Sequence, residues 1–145
     1  MPVKTKGRPL PLERYFAKKA LRHAIGDEEN IKSPIEPNMS NLVLGAKIYL
    51  VQCAVCHGLP QSEPSAIAKG LFPKPPQLMP PHKGVTDDQV GETYWKVKNG
   101  IRLTGMPGFI DNLSENEMWQ VSEFLFNADK LPTEALDVFK NGNKK

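Results

Sequence analysis

Cys53-Ala54-Val55-Cys56-His57 is the stretch that decides how the rest of this chain is read. It holds the only two cysteines, and a histidine follows the second directly. Thiols three residues apart share one side of a helical turn. Each can add to one of the two vinyl groups of a haem, and the adjacent histidine then lies under the porphyrin as an axial ligand of the iron. A covalent cofactor also supplements the thin core of a small domain. Three other readings of the pair are weaker. A thioredoxin-type redox pair needs a βαβ context, and these flanks are helical and proline-rich. A structural zinc site needs four ligands, and there is no second cysteine pair. A disulfide across two residues closes a small, strained loop.

Around this motif the chain has 145 residues and 16.2 kDa, enough for one domain with arms. Hydrophobic residues make up 39% and charged residues 24%, a globular composition. Fourteen prolines and eleven glycines imply much irregular backbone and argue against a TIM barrel, a long coiled coil or a repeat array. No run of 18 uncharged apolar residues occurs, so no bilayer span is expected. The start, Met-Pro-Val-Lys-Thr-Lys-Gly-Arg, lacks the apolar stretch of a signal peptide. The net charge of +3 is uneven: seven cations lie between Lys4 and Arg22, opposed only by Glu13. Such an arm suits a membrane surface or an acidic partner as well as it suits a solvated tail. No aromatic–basic interleaving points to nucleic acid.

The organisation reads as a basic N-terminal arm and linker over residues 1–40, a haem domain over 41–131, and a tail over 132–145. Within the arm, Leu12, Phe16, Ala20, Leu21, Ala24 and Ile25 recur at helical spacing, and Gly26 ends that helix. Residues 26–40, with Pro34 and Pro37, form a linker along the surface. The first domain helix runs from about Ser40 into the attachment motif, with Ser40 or Asn41 as its cap. Pro64 to Lys69 makes a helical turn, and the prolines from Pro73 to Pro81 forbid regular helix. Thr86-Asp87-Asp88-Gln89 reads as a capping box opening a helix to about Asn99. Ser114-Glu115-Asn116-Glu117 opens another to about Asn127, with Met118, Val121 and Leu125 on one face. A short tail helix follows Pro132. No run alternates as a strand, so the fold class is all-α: three main helices and long loops around one covalent haem.

Haem iron takes a second axial group or keeps an open position. Candidates are Met106, Met79, Met118, Met39, Met1, His23 and His82. Met118 reads as core, while Met1, His23 and Met39 precede the domain. Met79 and His82 lie in the proline loop and are within steric reach. Met106 has the better context: Gly105 and Gly108 flank it and Pro107 follows, so a tight backbone can approach the haem.

Three segments resemble the monohaem class I c-type cytochromes, bacterial members in particular. They are Gly45-Ala46-Lys47-Ile48-Tyr49 leading to Cys53–Gly58, then Gly70-Leu71-Phe72-Pro73-Lys74-Pro75-Pro76-Gln77-Leu78, and Trp95 through Asn99 to Phe109, with Trp119 beyond. The resemblance covers about residues 41–131. It implies a cytochrome c fold, with the N- and C-terminal helices crossing at Gly45 and Tyr49 near Trp119 or Phe126. It implies one covalent haem c and its iron on Cys53 and Cys56, with His57 and Met106 as axial ligands. It implies a proline carbonyl accepting the His57 Nδ1 proton, assigned to Pro73 with Pro75 as the alternative, and Trp95 packed near the haem.

The function this resemblance implies is one-electron transfer between redox protein partners outside the cytoplasm, in the periplasm or beyond, without enzymatic turnover. Lys47, Lys69, Lys74 and Lys83 around the haem edge would steer an acidic partner. The arm is similar to segments that join such domains to an N-terminal membrane anchor, so membrane association through an anchor or the basic arm is an expectation. The missing export signal then suits a mature or shortened chain. Two other functions compete. One is a labile sixth site that binds peroxide or a diatomic gas. The other is a fixed subunit of a respiratory or photosynthetic complex.

Overall fold

The computed structural model describes residues 3–80 and 86–142. Among these residues there is no β-strand, and the all-α architecture expected from the sequence holds. Six helices follow in chain order: α1 (Glu13–Ile25), α2 (Met39–His57), α3 (Ala66–Gly70), α4 (Val90–Asn99), α5 (Glu115–Phe126) and α6 (Thr133–Gly142).

The core forms where α2 crosses α5. A Cβ on Gly45 would fall on the Gln120 carbonyl oxygen and lie 2.7 Å from Phe124 Cβ, so only glycine lets the two backbones come this close. Ala46, Tyr49, Val121 and Phe124 are fully buried around that point. Tyr49 packs on Phe124, with ring centroids 5.9 Å apart, and its hydroxyl donates to Gly58 O at 2.8 Å. Trp119 instead stacks on Tyr94 of α4 at 3.8 Å, nearly parallel. Phe124 is thus a ring neighbour of Tyr49 at the crossing point, and Trp119 lies in the same core cluster. α6 adds the buried Ala135 to the same core.

The helix starts show how local chemistry competes. At α5 the expected capping box forms in full: Ser114 Oγ accepts from Glu117 N, and Glu117 Oε2 accepts from Ser114 N at 2.8 Å. At α2 the cap is Asn38, not Ser40 or Asn41; its side chain accepts from Asn41 N at 3.0 Å. Asn41 is engaged elsewhere, donating to Glu36 O and accepting from Gln120 Nε2 at 3.0 Å. The box expected at Thr86–Gln89 is not a cap, and α4 begins at Val90 without a side-chain cap. Asp88 turns instead to Lys96 at 3.1 Å, and Gln89 donates to Asn30 at 3.3 Å.

α2 also departs from a plain α-helix. Residues Tyr49–Cys53 wind as a π turn between two α segments. By length and composition α2 could cross a membrane, although Lys47 and Gln52 break its apolar run. Leu42, Gly45, Ala46 and Tyr49 are the face of this helix that is buried against the core.

The arm is partly built into the fold. α1 ends at Gly26, whose φ is 52°. Ile25 is buried, while Leu12 and Phe16 are more than half exposed. The following turn, Gly26–Asn30, packs on α4. A Cβ on Gly91 would lie 2.5 to 2.8 Å from the carbonyl oxygens of Glu28, Glu29 and Ile31.

Candidate haem site

A cleft of about 1110 Å³, its open mouth included, lies between α2, the proline loop, α4 and the segment after α4. The last α segment of α2, Ala54–His57, sets Cys56 and His57 in its wall, and Cys53 at the end of the π turn stands beside them. Both thiols are free. Burial pushes the Cys53 thiol up to about 12, and the neighbouring Cys56 adds to the shift. A thiol held protonated in this way is a poor redox nucleophile, which speaks against a thioredoxin-type pair. Among the described residues no group of three or more His, Cys, Asp or Glu side chains is placed to hold a metal ion.

The ring of His57 is held from behind. Its Nδ1 lies 2.8 Å from Pro76 O. A carbonyl only accepts, so Nδ1 carries the proton and donates, and the Nε2 lone pair is left for a metal. Burial lowers the His57 pKa, opposed by the Pro76 hydrogen bond; the balance favours the neutral ring that ligation requires. The expected acceptors, Pro73 and Pro75, line the cleft but do not take this bond. Gln77 supports the loop by donating to Leu59 O at 3.1 Å and accepting from Met79 N at 3.0 Å. These bonds fix which proline carbonyl meets the ring.

Met106 lines the cleft in the segment after α4. That segment folds back on the end of α4: Phe109 N donates to Val97 O at 2.9 Å, and Ile101 N to Met106 O at 3.1 Å. Thr104 Oγ1 accepts from Met106 N at 3.1 Å. The return needs Gly100, with φ 68°, because a Cβ there would lie 2.6 Å from the Pro107 carbonyl carbon. Of the alternative sixth ligands, Met79 and Met118 are packed in the core, Met39 and His23 are exposed, and Met1 and His82 lie outside the described residues.

Trp95 does not line the cleft, contrary to expectation. Thr93, Lys96 and Val97 of α4 do. At 100° per residue Trp95 stands some 200° from Thr93, on the far side of the helix. Sequence reasoning missed Thr93, Lys96, Pro76 and Leu21 of α1, all in the cleft wall. The 93/97 pair shares a face at i, i+4, so helical phase would have found it; nothing local marks Leu21. Of the four lysines expected at the edge, Lys74 lines the cleft and Lys69 pairs with Glu63 at 3.6 Å. Lys47 is exposed, and Lys83 lies outside the described residues.

The donor set fits a covalently bound haem: two free thiols one turn apart, a neutral imidazole with one nitrogen available, a thioether, and largely apolar walls. Residues 40–125 match the family model described as "Cytochrome C oxidase, cbb3-type, subunit III". The chain belongs to this family of c-type cytochromes. The reducing HAO-like protein complex of Kuenenia stuttgartiensis contains a similar fold: TM-score 0.53 at 22% identity, covering 66% of this chain and 46% of that one. No curated protein matches this cytochrome. Membership of the family implies a haem-based electron carrier.

Proposed function

We propose that this cytochrome is a one-electron carrier with a single haem c, tethered by Cys53 and Cys56, ligated by His57 and Met106, and working between redox protein partners outside the cytoplasm. The observation that carries the reading is the His57–Pro76 hydrogen bond at 2.8 Å. It supports the tautomer that leaves one nitrogen lone pair available in a cleft that Met106 also lines. When bound, the haem supplies an iron that cycles between two oxidation states at a potential raised by the thioether ligand. The chain does the rest. Pro76 holds the imidazole plane and adds to its basicity. The bonds from Phe109 to Val97 and from Met106 to Thr104 fix the methionine segment, which keeps reorganisation small. Pro73 and Leu78 help to keep water from the cleft. Lys74 at the wall favours an acidic partner surface.

Bacterial members of the family attach haem outside the cytoplasm, and this cytochrome is assigned there on that resemblance. Anchoring through the basic arm or a preceding segment belongs to the same proposal. A second reading, a fixed subunit of a respiratory complex, is favoured by the family's description as an oxidase subunit. Purification from native membranes separates the two: salt, or detergent where a segment anchors it, releases a carrier on its own, whereas a fixed subunit stays with its complex.

The direct test matures the protein in a bacterial periplasm. Its mass should exceed that of the polypeptide by one haem, with no free thiol. The iron–methionine charge-transfer band should vanish in Met106→Ala and survive in Met79→Ala. Two free thiols, or the opposite pattern of bands, refutes the assignment.

A further inference from the structure

One polar group in the cleft wall has no part in the ligation above. Thr93 of α4 lines the cleft and is 4% exposed. Its hydroxyl is buried and has no hydrogen-bond partner among the described residues. A threonine inside a helix has a ready local acceptor, the carbonyl four residues back. Ser122 of α5 takes that option, donating to Met118 O at 2.7 Å. At Thr93 that carbonyl, Gln89 O, already accepts the backbone N–H groups of Glu92 at 3.0 Å and of Thr93 at 3.3 Å. Interiors carry few such orphaned donors, because each loses its bonds to water and gains none.

The surroundings indicate which acceptor is meant for it. The other polar side chain of α4 in this wall, Lys96, is held by Glu92 at 2.6 Å and by Asp88 at 3.1 Å. One turn beyond Thr93, Val97 O holds Phe109 N, which ties the Met106 segment to the helix face that carries Thr93. We propose that Thr93 is a positioning residue for the sixth ligand: its hydroxyl donates to the thioether sulfur of Met106 when that side chain turns to the iron. Sulfur is a weak acceptor in water, but in a dry cleft the bond gains strength. A sulfur that accepts a hydrogen bond gives less electron density to the iron, which favours the reduced state. The inference rests on ligation by Met106.

The test compares holoprotein variants. Thr93→Val keeps the shape and removes the donor. It should shift the balance of reduced to oxidised protein about fivefold toward oxidised, the worth of one hydrogen bond of ordinary strength. For one electron that is a fall of about 40 mV in reduction potential. The iron–sulfur charge-transfer band should move as well. Thr93→Ser should restore both, and in a Met106→Ala background Thr93→Val should shift nothing further. An unchanged potential and band in Thr93→Val overturns the inference. So does a fall in potential with the band unmoved, or one that persists in Met106→Ala, since either assigns the hydroxyl to a haem carboxylate or a trapped water. A band that survives Met106→Ala overturns the ligation itself, a separate outcome.

Discussion

Gly45→Ala is the sharpest perturbation of the frame that holds the site. The added methyl would meet the Gln120 carbonyl oxygen and stand 2.7 Å from Phe124 Cβ. Neither is the flexible end of a side chain, so α2 and α5 must separate by several tenths of an ångström. Overpacking of a tight core costs about 1–3 kcal/mol, and contact with backbone belongs at the upper end of that range. Alanine returns roughly 1 kcal/mol of helix propensity. A net loss of about 2 kcal/mol corresponds to a melting temperature lower by roughly 8 °C for a chain of this size. Gly70→Ala is the control, because a Cβ there meets nothing within 4 Å and should leave stability equal or higher. Thermal unfolding of both holoproteins, followed by circular dichroism, measures the difference. If Gly45→Ala melts with the wild type, the close crossing at that point does not hold.

Removing residues 1–10 should leave the melting temperature unchanged, whereas removing residues 1–36 should lower stability by about 1.5–3 kcal/mol for the burial of Ile25 alone; denaturant titration of both truncations decides it. Gly91→Ala should destabilise the full chain by about 1–3 kcal/mol, because its methyl meets three backbone carbonyls of residues 28–31. The same substitution in the chain lacking residues 1–36 should be neutral or stabilising by helix propensity, and equal effects in both backgrounds would refute the contact. Glu117 is held below the usual carboxylate range by hydrogen bonds from the Ser114 hydroxyl and backbone. A depressed folded pKa adds stability above the unfolded value and loses it as pH falls through the folded one. The stability gap between wild type and Glu117→Gln should therefore be full near neutrality and close in acid, as melting curves against pH would register.

How much of this was legible in the sequence follows from how local each interaction is. The Ser114–Glu117 capping box rests on residues within one turn and forms where the spacing put it, while the crossing at Gly45, which the family resemblance implied, rests on one missing side chain. Thr86-Asp87-Asp88-Gln89 has the composition of a cap, yet Asp88 and Gln89 found stronger partners in Lys96 and Asn30, one eight residues away and the other fifty-nine. The carbonyl behind His57 sits in a run where Pro73, Pro75 and Pro76 are chemically alike. Only the path of the loop, set in part by Gln77 reaching Leu59, separates them. The π turn at Tyr49–Cys53 has no comparable mark in the local sequence.

The same distinction explains why the arm was hard to read. Its helix leaves Phe16 exposed, and only the later part of its apolar stripe meets the fold, Leu21 in the cleft wall and Ile25 buried. What binds the arm is backbone: the carbonyls of residues 28–31 lie against Gly91, with Ile25 buried beside them. α4 is thereby held on three sides. Gly91 meets the strap, Tyr94 stacks on Trp119 of α5, and Thr93, Lys96 and Val97 form a wall of the cleft. A helix of ten residues has few positions left over, which is why Trp95 stands on the remaining side. The position of the cleft wall thus depends on residues 25–31, outside the segment 40–125 that the family shares. Residues 25–31 pack on the helix that forms one wall of the cleft, and Leu21 before them lines the cleft itself.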